Sequence, residues 1–438
     1  MNITVRWEKV EARAAWEAAE SNWAKKDKNS GKQFSQSVSD FSSRPQYVFC
    51  QNLRDSNGCT DIAQVCKDYD SSGGYFIVQS FMLFESALVS IYDAVWSGAD
   101  AVNQTALLDT FAPLQGDTME VPKIVLDVVS ILFSIGVAPM WNKILKRKGP
   151  WSEKERHDSL GITKDTTNAL VTQSITLLKD SSSASGTQLA NQETIQARMN
   201  SLAISWQESI DSTAFQLFNG SHSSISTLWD YMADGELMAI DEVPSASQLQ
   251  GDVEKALYAY VIPEAWSLGE SGPFVLDAEV DCVDGKPDIS KDYERQWLDE
   301  DRATDSYYCY KSRGYYLVSA RREKGQSCNI LNPGDCTYSS FYPLYGVETM
   351  DGRTDKWQGI TPRNIINGSL NSYFANNKKN GGYTPRLSDS AAIEELVANR
   401  LTSPGVFNLP VCKALEAAYN WYFYSEGTGR KTDNYPCN

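Results

Sequence analysis

Nine cysteines are spread unevenly along this 438-residue chain, and their placement limits the folds open to it. Cys50, Cys59 and Cys66 fall close together. The next 215 residues contain none, and Cys282, Cys309, Cys328, Cys336, Cys412 and Cys437 crowd the last third. Such clustering suits an oxidising compartment, where each bridge removes conformational freedom from a loop-rich unfolded segment, worth about 2–4 kcal/mol apiece. The pattern predicts an exported, extracellular protein with a helical, cysteine-free middle and a disulfide-braced C-terminal region. Four bridges are expected, with one cysteine left unpaired or available for a dimer. If Cys59 and Cys66 lie on one helix they are about 10 Å apart along its axis, too far to bridge, so at least one pairs elsewhere, with Cys50 as a candidate.

A hydrophobic fraction of 42% is ample for a core, so the bridges do not compensate for a chain too small to fold. The net charge of −16 argues against nucleic acid and anionic membrane, both of which demand a basic face. Only two histidines exist, His157 and His222, and neither has an HxxxH or CxxC neighbourhood. No metal site, cofactor or Ser-His-Asp triad is therefore assigned. Four N-x-[ST] sequons stand at Asn2, Asn103, Asn219 and Asn367. Asn103 follows an apolar segment, Asn219 ends a helical pattern and Asn367-Gly368 reads as a turn, so these three are the expected glycosylation sites. The opening Met1-Asn2-Ile3-Thr4 runs straight into a charged amphipathic stretch, which reads as a mature form with its leader removed.

Periodicity then divides the chain. Trp7, Val10, Ala14 and Ala18 predict one amphipathic helix from Trp7 to Lys28, followed by a Ser-rich loop from Ser35 to Ser43. A turn at Asn57-Gly58 precedes a short helix that Thr60 or Asp61 would cap. Two apolar segments come next, at about 75–96 and 124–141. The second ends at Gly136 and Pro139 and carries Asp127 as its one internal charge. A membrane span is long enough at eighteen residues, yet the buried helix pair of a large helical domain is the better reading, given Asp127 and Pro139. Further helices are expected around Leu170 to Leu178, Ile195 to Ile210, Leu228 to Met238 and Val253 to Tyr260. The character changes at Leu268-Gly269-Glu270-Ser271-Gly272-Pro273. Phe274, Leu276, Ala278 and Val280 then alternate with acids in the strand period, and Tyr307–Tyr310 with Tyr315–Ser319 reads as a hairpin. Loops follow, then helices from about Ser388 to Leu401 and Cys412 to Tyr424. The expected fold is mainly α: an N-terminal helical bundle over 1–263, then a smaller disulfide-braced α+β region over 264–438.

Candidate chemistry is sparse. Gly269-Glu270-Ser271-Gly272 lacks one residue of the G-x-S-x-G elbow and reads as a linker. The acids Asp277, Glu279, Asp281, Asp284, Asp288 and Asp292 invite calcium, but Val280 and Cys282 fall where a calcium loop needs oxygens, so a solvated strand face is expected. Carboxylate pairs for glycosidic chemistry are available at Glu264 beside Trp266, or at Asp299, Glu300 and Asp301 beside Trp297. A chain with 56 acids always offers such pairs, so no catalytic residue is assigned. Tyrosines crowd the C-terminal third (Tyr307, Tyr308, Tyr310, Tyr315, Tyr316), and their faces suit sugar rings or partner proteins as well as internal packing.

Several strings carry a resemblance. Cys50…Asn57-Gly58-Cys59…Cys66, Thr110-Phe111-Ala112-Pro113, Ala138-Pro139-Met140-Trp141-Asn142 and the ending Ser403-Pro404-Gly405-Val406…Cys412…Tyr435-Pro436-Cys437 together resemble a secreted protein family of filamentous fungi. Similar segments occur alone and appended to killer-toxin-like chitinases. The resemblance implies fungal secretion but transfers no catalytic residue, because the chitinase signature D-G-x-D-x-D-x-E is absent: Asp284-Gly285-Lys286-Pro287-Asp288 breaks its spacing. The expected function is thus that of a secreted glycoprotein acting by binding, effector- or toxin-like, on a protein or glycan partner outside the cell. Two alternatives stay open. One is a carboxylate-dependent glycan hydrolase, the other a membrane-inserting toxin using the 75–141 hairpin.

Overall fold

The structure, a computed structural model, describes residues 3–42, 48–54, 59, 66–113, 126–146, 168–176, 195–239, 242–268, 271–283, 286–287, 306–320, 341–353, 356–387, 389–425 and 434–438. Helices dominate, and one small sheet follows them, as expected. Contacts divide the chain into two compact units. One is Met1–Gly98, Val137–Ser185 and Ser201–Val253; the other is Ala99–Gly136, Gly186–Asn200 and Glu254–Asn438.

The first unit is organised by aromatic rings. Its N-terminus forms α1 (Ile3–Lys9) and α2 (Ala12–Asn22), which a short π-helical turn, Trp23–Asp27, extends. The single helix expected from Trp7 to Lys28 is broken at Glu11, whose left-handed backbone (φ 55°) resets the helical phase. The buried stripe therefore runs Ala12, Trp16, Ala19 and Trp23, while Ala14 and Ala18 are exposed. Trp16 meets Phe34 edge-on at 5.7 Å and Phe81 at 6.1 Å, and Trp23 meets Phe34 at 5.5 Å. Such tilted pairs add about 0.5–1.5 kcal/mol each beyond the area they bury. The Trp23 indole donates to the Gly220 carbonyl at 2.9 Å. Only glycine serves there: its φ is +70°, and a Cβ would stand 2.5 Å from the Trp23 ring.

Phe34 opens α3 (Phe34–Phe41), where a serine-rich loop was expected. Ser35, Ser37 and Ser39 are buried, because small hydroxyls that find partners cost little inside. Ser35 donates to the Val48 carbonyl at 2.7 Å and accepts from the Cys50 amide, and Ser37 donates to Asp27 Oδ2 at 2.8 Å. The expected short helix after Asn57-Gly58 falls largely outside the described residues.

Helix α4 (Ser72–Asn103) is longer than its apolar segment, and a five-residue helix, α5 (Leu107–Phe111), follows it. α6 (Leu126–Lys146) continues through Pro139 rather than ending there. An internal proline costs roughly 3 kcal/mol, and the burial of Val137, Met140, Trp141 and Ile144 around it outweighs that. Trp141 stacks on Phe84 of α4 at 5.6 Å. α7 (168–176), α8 (Ile195–Phe218) and α9 (His222–Met232) follow, the last capped by the Ser221 side chain. α10 (Ala246–Leu268) is again longer than its stripe, with Pro263 inside it.

The sheet belongs to the second unit. β1 (Pro273–Val283), β2 (Lys286–Pro287), β3 (Tyr307–Tyr310) and β4 (Arg313–Ser319) lie in the order β2-β1-β4-β3, and β5 (Val411–Lys413) pairs parallel with β1. The expected hairpin is present. Its two-residue turn, Lys311-Ser312, has φ 49° and 67°, the primed geometry that matches strand twist. Phe274, Leu276, Ala278 and Val280 all face the core. Three further helices complete the chain: α11 (Pro362–Ala375), α12 (Ser390–Asn399) and α13 (Ala414–Ser425). α11 stands where loop was expected, and Asn367-Gly368 lies within it rather than in a turn.

Three bridges join Cys50–Cys59, Cys282–Cys309 and Cys412–Cys437. Cys66 is free and exposed, while Cys328 and Cys336 lie outside the described residues. Alkylation of the non-reduced protein followed by peptide mapping is expected to label one thiol, at Cys66; labelling of several cysteines would contradict an oxidising origin. α4 is long and apolar enough to cross a membrane, but 67% of its most apolar window is buried, as in a core helix. Dye-loaded liposomes exposed to the protein from pH 7 to pH 4 are therefore expected to stay intact. Leakage at any pH in that range would revive the toxin alternative.

Candidate functional site

The second unit gathers three features with chemical interest. The first is the acidic face of β1. Asp277 forms a two-pronged contact with Arg313, Nε to Oδ1 at 2.6 Å and Nη2 to Oδ2 at 2.8 Å. Glu279 lies 2.5 Å from Lys413 Nζ on β5. These acids are occupied by cations from the neighbouring strands. The acid-rich face is therefore both half-exposed and paired within the sheet, and Asp281 on it is exposed. Among the described residues no group of three His, Cys, Asp or Glu converges as a metal ion requires. Asp284, Asp288 and Asp292 lie outside the described residues, as do Trp297, Asp299, Glu300 and Asp301. His222 opens α9 on the surface.

The second feature is Glu264 on α10. Burial pushes its carboxyl up to about 7, and the nearby Arg198 guanidinium of α8 opposes the shift. Tyr260, one turn earlier, is also raised, by burial first and then by Glu264, and it hydrogen-bonds with Arg198. A raised carboxyl is what a general acid needs. Glycoside hydrolysis requires a second carboxyl across the bond, and the groups acting on Glu264 are its apolar surroundings and a cation. Trp266, its expected aromatic neighbour, is turned to other work. It is fully buried, meets Phe111 edge-on at 5.8 Å and donates its indole N–H to the Tyr345 carbonyl at 2.8 Å. Ser271 of the near-elbow is buried, and its carbonyl accepts from the Ser319 hydroxyl, so the link between α10 and β1 is tied to β4.

The third feature is concave and aromatic surface. A pocket of about 200 Å³ lies among α4, α5, α8 and α10; Asn103, Thr105, Asp109 and Gln196 line it together with Leu107 and Val261. Asp109 is the one carboxylate among the described residues of that lining. Elsewhere, β3 and α11 form an aromatic edge. Tyr310 stacks on Phe374 at 5.7 Å with an interplanar angle of 17°. Lys311 sits over both rings and Arg363 lies 4.9 Å above Tyr308. Tyr310 donates its hydroxyl to Asn371 Oδ1 at 2.9 Å, which fixes the ring. Tyr315 and Tyr316 are buried and serve packing.

The sequence-expected glycosylation sites differ in setting. Asn219 is exposed just beyond α8, its Oδ1 accepting from the Ser221 amide. Asn103 ends α4 and donates from Nδ2 to Asn200 Oδ1 at 2.6 Å. Asn367 sits half-buried inside α11, accepting from Asn371. A capping box at Thr361-Pro362-Arg363-Asn364 starts α11, a local signal that places Asn367 inside a helix.

No family model matches the chain, and no solved structure matches it. Two proteins of Penicillium expansum do. The chain is similar to fungal proteins named as chitinases. A probable chitinase LysM18 is 25% identical over 475 residues, covering 100% of this chain and 32% of that protein. A secreted chitinase LysM12 is 26% identical over 491 residues, covering 99% of this chain and 31% of that protein. The chain thus spans about a third of the length of these relatives.

Glu264 has a testable electrostatic cost. Its folded pKa lies above the unfolded value of 4.5, so the folded state holds the proton more tightly and loses stability as pH rises from 4.5 to about 7. The loss approaches about 1.4 kcal/mol per pH unit across that window. Glu264→Gln is expected to match the wild type in urea melts near pH 4.5 and to exceed it at pH 8. Equal stability at both pH values would show that the carboxyl is not held protonated by burial.

Proposed function

We propose that the chain is an extracellular module that acts by binding a polysaccharide, in the service of chitin-directed proteins, and does no hydrolysis itself. The observation that carries this reading is similarity along the whole chain to about a third of two proteins named as chitinases. The chitinase signature is absent from the sequence, and among the described residues the charged group acting on Glu264 is the Arg198 guanidinium. Both points favour binding over catalysis. The disulfides and the name of one relative, a secreted chitinase, support an extracellular setting.

The aromatic edge supplies a contact surface. Phe374 is exposed and Tyr308 and Tyr310 are half-buried, with their orientations fixed by the hairpin and by Asn371. Fixed rings lose little entropy when a sugar face stacks on them, and Arg363 and Lys311 bring donors for hydroxyls. An effector-like protein partner would use the same edge, with the cations meeting acidic side chains.

Two assays separate these readings. The protein is expected to be retained on chitin beads, and Tyr308→Ala with Phe374→Ala to weaken retention about thirtyfold, taking roughly 1 kcal/mol per stacked ring. Chitin oligosaccharides incubated with it are expected to yield no new reducing ends. Release of reducing ends that Glu264→Gln abolishes would establish the hydrolase alternative instead.

A further inference from the structure

We infer that the pocket among α4, α5, α8 and α10 is a subsite for a single neutral acetamido-sugar residue, an N-acetylhexosamine at a chain end. The inference rests on the polysaccharide reading above and gives it a location and a ligand class.

Size is the first argument. Pockets for drug-sized ligands run to about 300–1,000 Å³, and this one, at about 200 Å³, suits one sugar ring with a small substituent. Its lining is the second. Side-chain amides from Asn103 and Gln196, the Thr105 hydroxyl and the Asp109 carboxylate stand beside Leu107 and Val261. Hydroxyls and an acetamido group need that mixture of donors and acceptors, and the C–H face and acetyl methyl need the apolar wall. Charge is the third argument. Among the described residues the lining carries one carboxylate and no cation, which disfavours phosphates, uronates and other anions.

The polar groups are held in place before any ligand arrives. Asn103 Nδ2 donates to Asn200 Oδ1 at 2.6 Å, which orients its amide. Thr105 Oγ1 donates to the Val102 carbonyl at 2.7 Å and hydrogen-bonds with Tyr258 of α10. Preorganisation of this kind lowers the entropy lost on binding. It also sets Asn103 apart from the other sequons. A glycan on Nδ2 would replace one of its two protons and place its own first sugar at the pocket wall, so this subsite requires Asn103 to stay unmodified.

The test uses the full chain. Glycopeptide mapping of secreted protein is expected to find Asn103 unoccupied; full occupancy would overturn the inference. Titration calorimetry with N-acetylglucosamine and its β-1,4 dimer is expected to show saturable binding, with glucuronic acid at least tenfold weaker. Ala106→Trp places a ring at the exposed rim of the pocket and is expected to weaken that binding about tenfold or more, with an unchanged melting temperature. Should that variant melt differently, Asp109→Asn, a smaller change at an exposed position, is expected to weaken binding several-fold. Chitin retention without monosaccharide or dimer binding, or binding that neither variant alters, would overturn the subsite and leave the general reading standing. No retention and no binding would remove both.

Discussion

Strand β1 must satisfy two faces and two edges at once, and the sheet is arranged around that requirement. One face buries Phe274, Leu276, Ala278 and Val280. The other carries Asp277 and Glu279, which cannot be buried without cations. β4 brings Arg313 to Asp277 and β5 brings Lys413 to Glu279. The pairs are half-exposed and screened by water, so they add little to stability. Their larger effect is on register. A one-residue slip of β4 would turn Arg313 to the apolar face and Tyr316 to the acidic one. The register shift between Asp277 and Asp281, with Glu279 at φ 58°, turns the strand where β5 ends its pairing. Disulfides then tie Cys282 of β1 to Cys309 of β3, and Cys412 of β5 to Cys437.

This arrangement explains what the sequence disclosed and what it withheld. Strand alternation from Phe274 to Cys282 and the hairpin were legible because both follow period two, which local pattern reports directly. α11 was not, since Asn367-Gly368 has the composition of a turn. Its helix is held by a capping box at Thr361 and by the close approach of Gly368 to Phe407 and the Leu401 carbonyl, where a Cβ would clash at under 3 Å. That second reason is tertiary and invisible to local reading. In the first unit the tryptophans were visible but their phase was not, because a single left-handed residue, Glu11, shifts the buried stripe from Val10, Ala14 and Ala18 to Ala12, Trp16 and Ala19. Ser35, Ser37 and Ser39 looked like loop for a related reason. Their partners, Val48 and Cys50 for one and Asp27 for another, come from segments on either side of the helix.

Candidate site residues were legible in type more than in use. Glu264 stood out beside Trp266, yet the two diverge by two positions along one helix, about 200° around its axis. One side chain then meets Arg198 and the other Phe111 and Tyr345. Tyrosine abundance pointed to binding or packing without choosing. The choice follows strand parity, as Tyr316 turns to the core while Tyr308 and Tyr310 reach the edge beside Phe374. No local pattern signals the pocket, because its walls come from the α4–α5 junction, α8 and α10, which are far apart in sequence.

The fate of the acids also bears on what kind of partner the chain can hold. Asp277, Glu279 and Asp252 are each paired with a cation, and Glu264 is pushed toward its neutral form beside Arg198. The lysines and arginines spent in these pairs are lost to any basic patch, while the net charge stays at −16. A surface of that sign repels acidic polymers over a Debye length of about 8 Å at physiological salt. A neutral polysaccharide meets no such barrier, and stacking on Tyr308, Tyr310 and Phe374 needs none of the counter-charge that an acidic ligand would. The negative net charge thus favours the uncharged, hydroxyl-rich partner proposed above over an acidic polymer.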